Sequence, residues 1–403
     1  MFPKSCFFKK SYLCKDIFIQ KEQLIRTILA GIYIHIPFCK QACYYCNFHF
    51  STSLRQKDEL LLAIHKELVE RKTYLKGQVI ETVYFGGGTP SLLSAKEILQ
   101  LWAVIEEHYQ LKTNLEVTLE ANPDDLTLDY LEALKETPIN RFSIGIQSFF
   151  DNDLVYMNRA HNAAHAKECI QAAQAAGFDN LTIDLIYGTP TTSHQQWREN
   201  LRTAFELNIP HISCYALTVE PRTALAHFIE KGKTANTDDN HIAEQFEILL
   251  DEMETNGYEQ YEISNFCLPG NYAKHNSNYW TGKHYLGVGP AAHSFDGESR
   301  QWNIAHNPKY IKALAQQESY WERELLTIQN QFNEYIMTSL RTKWGVRIDQ
   351  LIEWGSTTKM WFEKKALTYI QEGLMEKTKQ AYILTAKGKI VSDAIISDLF
   401  MDE

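Results

Sequence analysis

Apolar strand-like segments alternate with amphipathic helix-like segments from Gly31 onward. The candidate strands are "GIYIHIPF", "VIETVYFGG", "LEVTLEANP", "INRFSIGIQ", "NLTIDLIYG" and "HISCYALTV". Between them, "SAKEILQLWAVIEEHY" opens with a Ser94–Glu97 capping box and repeats apolar residues at helical spacing, and "DDNHIAEQFEILLDEMETNGY" ends at Gly257. Strands that alternate with helices predict a parallel sheet with right-handed crossovers.

The number of strand–helix units distinguishes between architectures. Six units are visible, whereas a closed barrel needs eight. We therefore predict an α/β fold with an incomplete (β/α)6 TIM-like barrel over residues 31–306, extended by a later strand at "EQYEISNF". A doubly wound open sheet is the alternative. From about Asn307 the rhythm stops, and helices with a short hairpin at "MEKTKQAYILT" predict a C-terminal winged-helix-like domain over residues 307–403.

Composition narrows the range of partners. The formal net charge of −10 and the absence of a basic stripe in the C-terminal part argue against nucleic acid as a partner. No apolar run is long enough to span a bilayer. Residues 1–30 are rich in lysine but lack the apolar region and the cleavage site of a secretory signal, so we expect a disordered extension or an over-long start.

Polar residues end each candidate strand in turn. The first strand runs into a cysteine-rich loop and the second into Gly86-Gly87-Gly88-Thr89. The next four strands end at or near Glu120, Gln147, Asp184 and Tyr215. Ligands of parallel α/β proteins gather at the carboxyl ends of the strands, so this series predicts a ring of residues around one site.

Three cysteines in "CKQACYYC" suggest the chemistry of that site. The spacing of Cys39, Cys43 and Cys46 is C-x3-C-x2-C, and thiolates suit iron–sulfur clusters or zinc. A closed zinc site would need a fourth ligand, with only His35 or His49 nearby at unusual spacing. A cluster with one iron left open is favoured over zinc or redox thiols. The chain's other cysteines after the first strand, Cys169, Cys214 and Cys267, are expected to pack as small apolar groups.

Longer motifs resemble a known family. "YIHIPF" followed by "CKQACYYC" is similar to the signature of the radical S-adenosylmethionine (radical SAM) superfamily. Five further segments resemble one group of that superfamily, which contains the oxygen-independent coproporphyrinogen oxidase HemN and the heme chaperone HemW. The segments are "YFGGGTPS", "INRFSIGIQSF", "DLIYGTP", "NFCLPGNYAKHNSNYW" and "YLGVGPAAHS". The resemblance runs from about Gly31 to the C-terminus.

The resemblance implies cofactors and the residues that hold them. Cys39, Cys43 and Cys46 would ligate a 4Fe-4S cluster whose open iron takes the amino and carboxylate groups of S-adenosylmethionine (SAM). The SAM contacts implied are Tyr33, Tyr45, Gly87, Gly88, Thr89, Glu120, Gln147, Arg159 and Asp184. Simpler roles remain open for several of them: the glycines suit a tight turn, Arg159 a surface ion pair and Tyr33 a core position.

Two departures from the oxidase pattern bear on function. The oxidases typically carry a fourth cysteine two residues after the third, whereas this chain has Phe48 in "CNF". The segment from His275 to Trp280 resembles a heme-binding motif of HemW, and neutral imidazole is a good heme ligand. Competing histidines are His161, His284, His293 and His306.

The resemblance therefore implies a heme chaperone that passes heme to an unidentified acceptor protein, rather than an enzyme. The alternative is an oxygen-independent coproporphyrinogen III oxidase that decarboxylates its substrate to protoporphyrinogen IX. We expect a cytoplasmic monomer or homodimer acting in porphyrin metabolism, with peripheral membrane association left open.

Overall fold

The computed structural model describes residues 29–401. Residues 1–28 of the extension predicted at residues 1–30 lie outside the described residues. Leu29 and Ala30 already belong to the first strand, so that strand begins two residues earlier than predicted. No helix in the described part of the chain is both long and apolar enough to cross a membrane.

Six parallel strands, neighbours in chain order, form the centre of a twelve-stranded sheet. They are β1 (Leu29–Ile36), β2 (Val79–Gly87), β3 (Leu111–Ala121), β4 (Arg141–Gln147), β5 (Leu181–Tyr187) and β6 (His211–Ala216). All six were predicted from the apolar pattern. The α/β class, with an incomplete TIM-like barrel, is confirmed.

Helices connect these six strands, and two more follow the last of them. They are α1 (Lys57–Glu70), α2 (Ala95–His108), α3 (Leu128–Leu134), α4 (Asp151–Tyr156), α5 (Ala163–Ala175), α6 (His194–Glu206), α7 (Ala224–Glu230) and α8 (Asp239–Thr255), with 3-10 turns at Pro90–Leu92 and Pro123–Asp125. The predicted capping box is present, because the Ser94 side chain accepts from Glu97 N and Glu97 accepts from Ser94 N. Gly257 follows α8 with a φ of 79°, a left-handed conformation that ends helices.

Further strands, most of them antiparallel, extend both edges of the parallel sheet. They and the helices among them are β7 (Glu259–Glu262), β8 (Asn265–Cys267), α9 (Lys274–Trp280), β9 (His284–Val288), β10 (His293–Phe295), β11 (Ser299–Asn303), α10 (Asn307–Gln316) and β12 (Trp321–Leu325). The segment "EQYEISNF", predicted as one strand, forms the β7–β8 hairpin against β6. On the other edge β9 runs parallel to β1, and β10, β11 and β12 follow as antiparallel neighbours.

The C-terminal part has its own small sheet and apolar core. Its elements are α11 (Ile328–Leu340), β13 (Val346–Arg347), α12 (Ile348–Glu353), α13 (Ser356–Gln371), β14 (Met375–Lys377), β15 (Ala381–Leu384), α14 (Ala386–Ile390) and α15 (Ser392–Asp398). The strands pair in the order β13-β15-β14, so the predicted hairpin is present and gains a third strand. Phe332, Phe362 and Tyr382 are fully buried in a core separate from that of the barrel. The domain boundary at residue 307 stays a prediction.

Candidate functional site

The cysteine loop leaves the carboxyl end of β1 and is fastened at its base. Cys39 N donates to Ser51 O at 3.0 Å, and Ser51 N donates to Pro37 O at 2.8 Å. Within the loop, Cys46 N donates to Cys43 O at 3.3 Å. The three loop cysteines are partly exposed free thiols. The base of the loop is therefore fixed, while its three cysteines remain partly exposed.

The chemistry of the three thiols fits a cluster better than a single ion. No group of three or more histidine, cysteine or carboxylate side chains among the described residues is arranged to hold one metal ion. In a cluster each thiolate binds a different iron, so the sulfur atoms need not converge on one point. Burial raises the pKa of Cys39 to about 11, and the charges of Cys46 and Cys43 add to the rise. Three thiolates this close need a compensating cation, which cluster iron would supply.

The glycine loop after β2 packs against the backbone that leads into the cysteine loop. A Cβ atom at Gly88 would lie 2.6 Å from Phe38 O, and one at Gly87 would lie 2.7 Å from the His35 ring. Gly87 also has a φ of 113°, which disfavours any side chain. Thr89, which follows, is buried and accepts from Asn122 Nδ2 at 3.2 Å. These glycines thus have a structural role in close backbone approach, beside any role towards a ligand.

Glu120 lies at the end of β3 and joins the second and third strands. Its carboxylate accepts from Gly87 N at 2.9 Å and from Tyr84 Oη at 2.8 Å. Burial raises the pKa of Glu120 to about 7, and the charge of Asp184 adds to this rise. Burial also raises the pKa of Tyr33, with a further contribution from the charge of Glu120. The structure therefore brings Tyr33, Glu120 and Asp184 to one region of the barrel.

Arg159 and Gln147 share the space above Gly145. A Cβ atom at Gly145 would lie 3.0 Å from Gln147 Nε2 and 3.1 Å from Arg159 Nη2. The guanidinium donates to Cys43 Sγ at 3.1 Å, to Asn122 Oδ1 at 2.8 Å and to Gly145 O at 2.7 Å. Its Nε is buried without a hydrogen-bond partner in the described part of the chain. Arg159 is therefore not in a surface ion pair, and it retains a donor for an anionic group.

Asp184 and Tyr45 complete this group, although Asp184 lies in the middle of β5 and not at its end as predicted. Burial raises the pKa of Asp184 to about 6, while a hydrogen bond from Ser213 and the charges of Arg141 and Arg159 lower it. Burial raises the pKa of Tyr45, which the charge of Arg159 lowers and those of the cysteine loop and Asp184 raise. Tyr45 thus lies between the cysteine loop and the strand ends. Tyr215, at the end of β6, is exposed.

His275 lies apart from the barrel mouth. Its ring contacts Gly31 and Thr82, which pair with each other in the first halves of β1 and β2. The ring therefore lies towards the amino end of these strands. Thr82 Oγ1 is 2.8 Å from Nδ1 and Tyr279 Oη is 2.9 Å from Nε2. Only 2% of the residue is exposed, and burial lowers its pKa to about 3. Both nitrogens of this neutral ring are engaged, and its role as a heme ligand stays a prediction.

The competing histidines are dispersed. His161 is buried and contacts Ile146 O through Nε2 at 3.0 Å. His284 contacts Gln78 Nε2 through Nδ1 at 2.7 Å. His293 and His306 are exposed, and His306 accepts from Lys309 N as the cap of α10. The structure does not bring these four side chains together with His275.

Two supporting residues were missed by the sequence reasoning. Asn122 contacts both Thr89 and Arg159, and its position just after β3 was the available signal. Tyr84 holds Glu120 and stacks on His275 with ring centroids 5.0 Å apart. Its inward position could have been predicted from alternation along β2.

Known proteins are similar in sequence to this chain over nearly its full length. Residues 33–220 match the family model described as the radical SAM superfamily. The chain is 32% identical to "Heme chaperone HemW" of Mycobacterium tuberculosis over 374 residues, covering 92% of this chain and 94% of that protein. It is 32% identical to the protein of the same name from Bacillus subtilis, covering 91% and 98%.

A solved structure shares the fold. Coproporphyrinogen III oxidase (HemN) from Escherichia coli is 22% identical and superposes with a TM-score of 0.81, covering 96% of this chain and 93% of that one. At this identity the likeness concerns the fold alone. The family model and the relatives that match nearly the whole chain show that it belongs to the HemW family of the radical SAM superfamily.

Proposed function

We propose that this protein is a heme chaperone, which holds heme and transfers it to an acceptor protein. The observation that carries the proposal is the 32% identity, over 92% of the chain, to a protein named as a heme chaperone. The cysteine loop agrees with it. Phe48 occupies the position where the oxidases typically have a fourth cysteine, and 71% of it is exposed.

The cofactors belong to the same proposal. Cys39, Cys43 and Cys46 would hold a 4Fe-4S cluster, and the cluster would supply an iron atom with a position open to exchangeable SAM. The free Nε of Arg159 and the carboxylates of Glu120 and Asp184 are groups that could orient a charged ligand there. The other proposed contacts are Tyr33, Tyr45, Gly87, Gly88, Thr89 and Gln147.

The proposal extends to the location and assembly of the protein. The six cysteines of the described residues are free thiols, which supports a reducing compartment such as the cytoplasm. The acceptor is a protein that binds heme more tightly than this one does. A monomer or homodimer, and peripheral association with a membrane, remain part of the proposal.

Heme transfer and decarboxylation can be measured on one preparation. The protein, reconstituted with cluster under anaerobic conditions, is incubated with heme, freed of excess and mixed with apomyoglobin. We expect about one heme per chain and its appearance in myoglobin at a rate that depends on the acceptor. The same preparation, given SAM, a reductant and coproporphyrinogen III, should form no protoporphyrinogen IX. Decarboxylation that consumes SAM would contradict the proposal and favour the oxidase.

The proposed SAM site should respond to pH through Glu120. Its pKa of about 7 means that the carboxylate gains its charge as the pH rises from 6 to 8. An ionised carboxylate accepts hydrogen bonds from an amine or ribose more strongly, so SAM affinity should increase over this interval. Glu120→Gln should weaken SAM binding by about tenfold at pH 8 and flatten much of the dependence. Isothermal titration calorimetry at several pH values measures the SAM affinity and its pH dependence.

The matched control for Glu120 is Glu106→Gln. Glu106 is exposed on α2, and its replacement should leave both the affinity and its pH dependence as in the wild type. Asp184, with a pKa of about 6, should contribute its own change at lower pH. The role given to Glu120 is wrong if Glu120→Gln and the wild type show the same affinity and the same pH dependence.

A further inference from the structure

A cavity of about 1010 Å³ lies between the barrel and the C-terminal part of the chain. One wall comes from the end of α9 and from β9 and β10, and the other from α11, α12 and the turn before β13. Cavities of several hundred to about a thousand cubic ångströms suit a ligand of cofactor size. The volume is therefore sufficient for a tetrapyrrole.

Aromatic side chains line both walls. Trp280, Tyr285 and Phe295 belong to the barrel wall, and Tyr335, Trp344 and Trp354 belong to the facing wall. Tyr335 and Trp354 stack with an interplanar angle of 29° and centroids 6.4 Å apart. Trp280 Nε1 is buried and has no hydrogen-bond partner in the described part of the chain. Flat apolar walls with a spare donor suit a large planar ligand with polar edges.

Charged groups along the cavity are mostly neutralised in place. Arg300 Nε is 2.7 Å from Glu334 Oε1, and Arg347 pairs with Asp349 at 2.5 Å. Glu353 adds one further carboxylate to the lining. Each guanidinium thus already has a carboxylate beside it, which offsets part of its charge towards the carboxylates of a ligand. Contact with the planar face must supply most of the binding energy.

The lining of the cavity contains few side chains that could ligate heme iron. Among the described residues that line the cavity there is no histidine and no cysteine, and its sulfur atom is the thioether of Met337. His275 is separated from the cavity, because its ring is buried in the barrel with both nitrogens engaged. Through Nε2 it contacts Tyr279, which does line the cavity and is followed by Trp280.

We propose that this aromatic cavity is the binding site for heme and that it holds the porphyrin plane rather than the iron. The inference rests on the proposed function, since it takes heme as the ligand. His275 is then a positioning residue that fixes Tyr279 and the end of α9. Binding without a strong bond to iron suits a protein that transfers heme. An acceptor that offers a histidine ligand to the iron can then take up the heme.

The experiment compares two porphyrins and two tryptophan substitutions on one helix. Protein loaded with cluster is titrated with hemin and with metal-free protoporphyrin IX. For the wild type we expect dissociation constants within about threefold of each other, because the shared ring supplies the binding energy. Thr338→Trp, which places a bulky ring on the cavity wall, should weaken both by at least about tenfold. Ile328→Trp, at an exposed position of α11 outside the lining, should change neither.

A second pair of variants tests the role of His275. His275→Gln should lower hemin affinity a few-fold and leave the Soret maximum of bound hemin unchanged, because no iron bond is lost. Met337→Leu, which removes the thioether sulfur from the cavity lining, should likewise leave the Soret maximum of bound hemin unchanged, because that sulfur makes no bond to iron. Should circular dichroism show that Thr338→Trp is poorly folded, Trp280→Leu takes its place, with weaker binding of both porphyrins expected.

Each contrary outcome has a distinct meaning. Wild-type protein that binds neither porphyrin would overturn the proposed function itself. Hemin binding that is equal in the wild type, Thr338→Trp and Trp280→Leu would overturn the cavity alone. Hemin bound a hundredfold more tightly than protoporphyrin IX, with a Soret shift that His275→Gln removes, would make His275 the iron ligand and overturn face-directed binding.

Discussion

Cys43→Ala protein is expected to carry no 4Fe-4S cluster after anaerobic reconstitution. Each cysteine of the loop would be the sole protein ligand of one iron, so the two remaining thiolates cannot retain the cluster. The substitution also removes the sulfur atom that accepts from Arg159 at 3.1 Å, which leaves the guanidinium without that partner. Iron and sulfide analysis should fall from about four of each per chain to near zero, and the brown absorption should disappear.

Cysteines elsewhere in the fold provide the control for this experiment. Cys169 is 4% exposed and packs in the barrel core from α5. Cys169→Ala should therefore retain the full cluster and lose only some packing energy. Phe48→Cys adds a thiol two residues after Cys46 and should not change the iron content. A full complement of iron and sulfide in Cys43→Ala would show that the assignment of ligands is wrong.

The repeated elements of the fold could be predicted because their signals are local. The strands β1 to β6 show as apolar runs that end in glycine or in a polar residue. The helix after Ser94 shows through a capping box whose two hydrogen bonds the structure contains. The carboxyl ends of parallel strands face one edge, so topology alone predicts that Glu120 and Gln147 lie close together, whereas Asp184 lies in the middle of β5.

The second edge of the sheet was not predicted, because its pairing depends on distant contacts. "HYLGV" is too short to distinguish a strand from a turn, and its place beside β1 becomes visible only in the assembled sheet. Gly287 lies against His293 O so closely that no Cβ atom would fit. This requirement arises from the tertiary structure and leaves no periodic signal in the sequence.

The orientation of α9 could have been anticipated in part. His275 and Tyr279 are four residues apart and therefore share one face of a helix, and the structure joins them by a hydrogen bond. Trp280, the next residue, must point elsewhere, and it lines the cavity. The motif alone does not indicate which of these faces meets the barrel, since this depends on the space that Gly31 leaves beside His275.

Glu67 is the clearest case of a residue whose role the sequence only half reveals. It follows Leu60 and Ile64 on the buried face of α1, where a carboxylate is unexpected, and none of it is exposed. Its partners are Gly289 N at 2.8 Å, Asn303 Nδ2 at 2.8 Å and Tyr310 Oη at 2.5 Å, all more than 200 residues away. Arg71 lies 3.4 Å away on the same helix.

Glu67→Ala is expected to lower the free energy of unfolding by about 3–5 kcal/mol. The substitution leaves a buried guanidinium without its carboxylate and three buried donors without an acceptor. The loss should appear as a lower thermal midpoint in samples matched for cluster content. Glu70→Ala is the control on the same helix, since Glu70 is 39% exposed and its contact with Lys66 is 3.8 Å long. Its effect should stay within about 0.5 kcal/mol.

The same substitution should also affect the cavity. Glu67 fastens Gly289, just beyond β9, and Asn303, in β11, to the barrel, and this extension carries Tyr285 and Phe295 of the cavity wall. Loosening it should reduce the amount of heme bound per chain while the cysteine loop, whose base is held by its own hydrogen bonds between Cys39, Ser51 and Pro37, retains its iron. If Glu67→Ala and Glu70→Ala unfold at the same temperature, the buried network does not hold the extension in place. A heme content that falls only in step with iron would mean that general unfolding, rather than loss of the cavity wall, is the cause.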